Sequence, residues 1–160
     1  MAMAFSPKIQ FLLFISLYLI PLSISHEASA LTDVHDLFPK YNLPKGLLPD
    51  NVKSYSLSSV DSSFKIELTH QCYVQFKDQL VLYDTTITGK LYFGKVSDVS
   101  GIHARRFFIW VPVTGMDVDE VDNMIEFHVG FLSQKLPVDD FQIIPTCLDK
   151  KLQDSLLASE

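Results

Sequence analysis

The sequence predicts an all-β domain, a mainly antiparallel barrel or sandwich, with a short N-terminal helix. Three observations carry that expectation. Between Ser62 and Phe93, apolar and polar residues alternate: Phe64, Ile66 and Leu68 against Lys65, Glu67 and Thr69, then Val74 and Phe76, Leu80 and Leu82, and Ile87, Gly89, Leu91 and Phe93. Successive side chains on a strand leave opposite faces, so a period of two marks half-buried strands. Turn-prone residues close the runs, and roughly six to eight such segments recur about every ten residues, the spacing of sandwiches and barrels. The third observation is His103–Thr114 (HARRFFIWVPVT), the strongest apolar run beyond the N-terminal segment.

That N-terminal segment reads as a secretory signal peptide. Lys8 precedes an apolar run, Ile9–Ile20, which Pro21 breaks before a stretch of small residues. Cleavage is expected after Ser25, with Ala30 as the alternative, and the run is shorter than the ~20 residues that span a bilayer. The domain plan is therefore a signal peptide over 1–25, one β-rich domain over 31–149 and a polar tail over 150–160. A soluble, exported product without a membrane anchor is expected, and it bears no recognised retention signal.

Leu31–Tyr41 has apolar residues at helical spacing (Leu31, Val34, Leu37, Phe38), with Thr32 or Asp33 to cap its start and Pro39 to end it. Asn42–Asn51 holds three leucines among two prolines and a glycine, which predicts an ordered turn with buried leucines. Val52–Leu57 reads as the first strand, with a Ser-rich turn before the alternating stretch. Lys77-Asp78-Gln79 is a hairpin connection and Asp84-Thr85 a possible second one. Gly94–Gly101 reads as a loop or ragged strand. His103–Thr114 reads as one strand, with Phe107, Ile109, Val111 and Val113 on one face and Phe108 and Trp110 on the other. A strand apolar on both sides is covered twice or meets a ligand. Pro112 lacks a backbone donor, which predicts an edge or a bulge. Met116–Asn123 is an acidic connection, Met124–Val129 a strand, Phe141–Ile144 a last short strand and Lys150–Glu160 a helical tail.

Several of these residues resemble a known family. Leu43-Pro44-Lys45-Gly46-Leu47-Leu48-Pro49 matches a Leu-Pro-x-Gly-Leu-Leu-Pro signature, and Ile87-Thr88-Gly89-Lys90-Leu91, Val129-Gly130 and Pro145-Thr146-Cys147 fall where that family has them. The family is the plant domain of unknown function numbered 538, and the resemblance covers about Leu31 to Asp149. It implies a small β-rich, barrel-like domain after an N-terminal helix. Lipid binding of the bactericidal/permeability-increasing type and hydrolase activity are both suggested for the family, with no catalytic residues to carry over.

Charge and motifs narrow the chemistry. A formal charge of −6 does not suit nucleic acid, whose phosphates favour a basic face, nor adhesion to an anionic membrane by charge alone. Cys72 and Cys147 are the two cysteines, and in an oxidising compartment one even pair reads as a disulfide, with two buried thiols as the alternative. No Gly-x-Ser-x-Gly elbow occurs; Ser133 follows Gly130-Phe131-Leu132, which has the wrong spacing, although a triad drawn from distant residues stays open. His35, His70, His103 and His128 are scattered without metal-ligand spacing, and Asp117, Asp119, Glu120 and Asp122 lack the glycine of a calcium loop. No metal or other cofactor is expected.

Arg105 and Arg106 beside Phe108 and Trp110 form the candidate ligand site, two guanidiniums for an anionic head and aromatics for an apolar tail. The plainer alternative is a strand entering the core with solvated arginines at its mouth. The leading expectation is a secreted module binding a hydrophobic or lipid-like small molecule. An esterase or hydrolase on lipid-like substrates, and a module for cell-wall polymer or protein, are the alternatives.

Overall fold

The computed structural model describes residues 33–159. The signal peptide, its cleavage site, Leu31 and Thr32 lie outside the described residues. A short helix, α1 (Val34–Leu37), runs into a 3-10 turn over Phe38–Tyr41. Asp33 caps α1, its carboxylate accepting from the His35 amide at 3.1 Å. Pro39 stands at the start of the 3-10 turn, where its missing N–H leaves no bond unmade.

Eight antiparallel strands follow: β1 (Val52–Leu57), β2 (Ser63–Leu68), β3 (Cys72–Phe76), β4 (Gln79–Tyr92), β5 (Lys95–Arg106), β6 (Ile109–Asp119), β7 (Met124–Val129) and β8 (Leu132–Pro137). They form a single sheet in the order β1-β2-β4-β5-β6-β7-β8, with β3 paired to β4 off that path. The fold is all-β and antiparallel after an N-terminal helix, and the sheet is not closed: β1 and β8 are its two ends.

The middle of the sheet is long enough to bend. The first half of β4 pairs with β3 (Phe76↔Gln79 to Cys72↔Tyr83) and the second half with β2 (Glu67↔Thr86 to Ser63↔Lys90). Between them the β4–β5 register shifts, and there Gly101 adopts φ +91° against the Thr86 carbonyl. A side chain at that glycine would strike the carbonyl, so the irregularity is built for close backbone approach. Inward-facing Ile66, Ile87 and Ile125 are each at most 2 % exposed. Val34, Phe38, Leu43, Leu47 and Leu48 pack with them, so the helix and the proline-leucine turn are part of the core. Truncating one of these buried isoleucines to alanine costs about 2–5 kcal/mol.

The alternating strands and the helical tail, α2 (Lys150–Ala158), lie where the sequence places them, but four expectations need correction. Asp84-Thr85 is not a turn; β4 runs straight through it, because Thr and Tyr neighbours are good strand formers. Of the two readings of Gly94–Gly101, the ragged strand holds: all but Gly94 belongs to β5, whose ladder to β4 has register shifts. His103–Thr114 is two strands, reversed at Phe107-Phe108, and Phe107, Phe108 and Ile109, drawn from both expected faces, are exposed at the hairpin tip. The first half of Met116–Asn123 belongs to β6, and a strand not foreseen, β8, follows β7. Phe141–Ile144 is no strand: a 3-10 turn over Val138–Phe141 carries Phe141 into the core, where its ring meets those of Phe76 and Phe127 at 5.1 and 5.2 Å. Pro112 stands inside the sheet with register shifts on both flanking ladders, which accommodates its missing donor.

Cys72 and Cys147 form a disulfide, Cα atoms 5.2 Å apart, across a separation of 75 residues. Beside it the Leu148 amide donates to the Tyr73 carbonyl at 2.8 Å, so the segment after the core runs along β3. Among the described residues, no helix is long and apolar enough to cross a membrane.

Candidate functional site

The inner face of the sheet encloses an apolar cavity of about 50 Å³, walled by Val81, Tyr83, Ile102, Ala104, Val113, Met116, Phe127 and Val129. The alternation of β4, β5, β6 and β7 puts these residues there. The cavity adjoins a wider recess of about 260 Å³ that adds Lys77, Asp78, Arg106 and Asp140. Phe76, Gln79, Gln134, Leu136 and Phe141 line both, so the recess is the polar mouth of the apolar slot. A water needs only about 10–15 Å³, so the slot is wider than a solvent site, yet it is narrow enough to suit a thin aliphatic chain.

Tyr83 in the slot and Gln79 at its mouth are already committed. The buried Tyr83 hydroxyl donates to the Leu47 carbonyl at 2.9 Å, and burial pushes its pKa upward, so it keeps its proton. At the mouth, Gln79 donates to the Arg105 carbonyl at 2.6 Å and Lys77 pairs with Asp140 at 2.6 Å. Arg106 lines the mouth beside them.

The four predicted ligand residues are divided by the hairpin. Ala104 and Arg106 line the cavity and its mouth, so Arg105, between them, leaves from the other face. There its guanidinium lies 5.9 Å from the Trp110 ring, its partner across the ladder, and Trp110 meets Tyr73 edge-on at 5.8 Å. Phe108 is exposed at the turn. Arg106 alone of the four faces the cavity mouth. Sequence reading missed the cavity walls because they come from four separate strands, and only correct pairing brings them together.

A second constellation lies on the opposite face. His128 sits 3.2 Å from Ser133 Oγ through Nδ1 and 2.6 Å from Asp117 Oδ2 through Nε2, while Lys95 reaches Asp117 Oδ1 at 3.0 Å. Burial pulls the Asp117 carboxyl upward, but the hydrogen bonds from His128 and Lys95 outweigh it and hold its pKa below the ordinary value. Ser133 and His128 are ladder partners on β8 and β7, which explains why no linear motif announces them. Their neighbours Gln134 and Val129 line the cavity, so this trio faces away from it. Elsewhere His35 is buried as a clamp: its ring reaches Asp33 at 2.7 Å and the carbonyls of Leu48 and Pro49 at 3.3 and 3.1 Å. Among the described residues, no group of three or more His, Cys, Asp or Glu is placed to hold a metal ion.

Fold and cavity together define a small all-β module, one bent antiparallel sheet around an apolar slot with a charged mouth. The chain belongs to the family described as "Protein of unknown function, DUF538", whose model matches residues 34–142. It is similar to "Uncharacterized protein At5g01610" from Arabidopsis thaliana, at 35% identity over 85 residues, 52% of this chain and 49% of that protein. The match thus spans about half the length of that relative.

Proposed function

We propose that the chain is an exported binding module for an amphipathic small molecule, its aliphatic end in the slot and an anionic head at the mouth. The observation that supports this is the continuity of an almost wholly apolar slot with a recess holding Lys77 and Arg106. The disulfide agrees with an oxidising compartment. Apolar burial would supply the affinity, and the cations would select the head group. Delipidated protein should take up a fluorescent fatty acid saturably. Val113→Trp, which fills the slot, should abolish uptake, and Arg106→Gln should weaken it about tenfold, as a charge-assisted hydrogen bond is worth roughly 1.5–3 kcal/mol. Uptake unaffected by Val113→Trp would place the ligand elsewhere.

A second reading, ester hydrolysis, draws on the Ser133, His128 and Asp117 geometry. Against it stand the exposure of Ser133 and the separation of the trio from the cavity. A fluorophosphonate probe decides: labelling lost in Ser133→Ala and His128→Ala supports hydrolysis, and an unlabelled folded chain rejects a serine mechanism.

A further inference from the structure

We propose that one end of the sheet docks on a lipid bilayer, with the projecting tip of the β5–β6 hairpin inserted among the acyl chains. The antiparallel order sends three turns out at that end: Lys77-Asp78, Phe107-Phe108 and Gly130-Phe131. The third sits beside the base of the second, since Val113 pairs with Val129 and the Gly130 amide donates to the Pro112 carbonyl at 3.1 Å, so the Phe107-Phe108 tip projects past it by the length of Ile109–Pro112. On these two turns Phe107 is 89% exposed, Phe108 70%, Ile109 64% and Leu132 72%, and Phe131 is fully exposed. Single exposed apolar residues are ordinary, but Phe107, Phe108 and Ile109 together on one projecting tip are not, and Phe131 and Leu132 stand on the turn behind it.

The turn itself is chosen against local preference. Phe107 adopts φ +47°, a left-handed conformation that its β-carbon disfavours and that Asn or Gly takes readily. A two-residue hairpin turn built of Phe-Phe gives up turn chemistry and exposes both rings, which folding alone does not require.

Shape and charge select a bilayer over a second copy of the chain. The apolar residues crown projecting turns, which enter a soft phase but cannot lie flat against a rigid surface. At the same end Arg106 and Lys77, the latter paired with Asp140, line the cavity mouth and would meet lipid phosphates once the tip is inserted. Asp117, Asp119, Glu120 and Asp122 flank the β6–β7 turn at the opposite end, while Asp78 and Asp140 stand beside the cations of the docking end. The opposite end also exposes Val60, Val121 and the adjoining Tyr92 and Phe93, at most two to a turn. The docking end is the end where the cavity mouth opens, since Lys77 and Arg106 belong to both. Docking is nonetheless independent of the ligand reading, because it is measured without uptake.

Trp110, the single tryptophan, lies two residues behind Phe108 and reports on the tip itself. The full chain, recovered from a eukaryotic host, is mixed with phosphatidylcholine vesicles and with phosphatidylcholine–phosphatidylglycerol vesicles, each bearing brominated acyl chains. Trp110 fluorescence should be quenched by both, more strongly with phosphatidylglycerol. The double variant Phe107→Asn with Phe108→Gly restores preferred turn residues, so the hairpin survives while both rings are lost. Its partitioning should fall about tenfold or more, with an unchanged or raised melting temperature. An unquenched Trp110 with both vesicle types overturns the proposal, as does equal quenching in the double variant. So does a tip-dependent dimer of the wild-type chain that leaves Trp110 unquenched, which would make a second copy the occupant.

Discussion

Gly46 shows how much one position can hold. It lies in the 3-10 turn Lys45–Leu47, and a β-carbon there would be driven into the carbonyl oxygens of Phe141 and Ile143. The glycine of the Leu-Pro-x-Gly-Leu-Leu-Pro stretch is therefore a contact between the start of the domain and its last core segment. Neither backbone can yield without moving Leu47 or Phe141, both buried. Gly46→Ala should destabilise the chain by about 1–3 kcal/mol, the usual range for overpacking a tight site. Its midpoint in a urea melt checks this, and a wild-type midpoint would mean that the two segments part easily. The sequence marked Gly46 as part of an ordered turn. It could not show what the turn packs against, because Phe141 lies far along the chain. His35 was equally opaque: on sequence it is one scattered histidine, and in the fold it clamps the carbonyls of Leu48 and Pro49.

Among the elements, legibility followed periodicity. β1, β2, β3 and β7 alternate cleanly with one wet face, and their residues announced them. The β5–β6 hairpin did not, because its turn carries Phe-Phe in place of Asn-Gly and so reads as more strand. β8 was missed for the opposite reason: Leu132–Pro137 is an end strand, largely exposed, with little apolar pattern to detect. Phe141–Ile144 looked like a strand on composition, since four apolar or amide residues before a proline satisfy a strand pattern as well as a packed turn. The cavity follows from these same strands. Its walls alternate correctly along each one, but sequence alone does not say which strands lie side by side. The proposed ligand site suffered likewise, since Arg105 and Arg106 are neighbours in sequence and lie on opposite faces of β5.

For the molecule as a whole, acid is the condition to which the described charges respond. Hydrogen bonds from Ser63 and Ser58 hold the Asp61 carboxyl down at about 2, and the Lys135 ammonium holds Asp119 below its ordinary value. The His35 amide does the same for Asp33, and Lys65 for Glu67. An unfolded chain would bind protons at these carboxyls near pH 4, before the folded chain does. Their contribution is therefore complete above about pH 5 and is lost as pH falls toward about 2. Melting temperature should stay level near neutrality and decline through that acid window; a flat profile down to pH of about 2 would contradict it. These groups are mostly exposed, so the decline should be gradual and weakened by salt.

Time gives the disulfide another meaning. During synthesis Cys72 emerges 75 residues ahead of Cys147, and all of β4 to β8 lies between them. Those strands connect mostly as successive hairpins, which form from local contacts and so need no covalent help. A native bond can close only after the last of them has been delivered, and it then holds the finished sheet by roughly 4 kcal/mol of lost freedom in the unfolded chain. The crosslink is a latch set at the end of folding, and a chain stopped short of Cys147 is left with a single thiol on β3 and nothing to close.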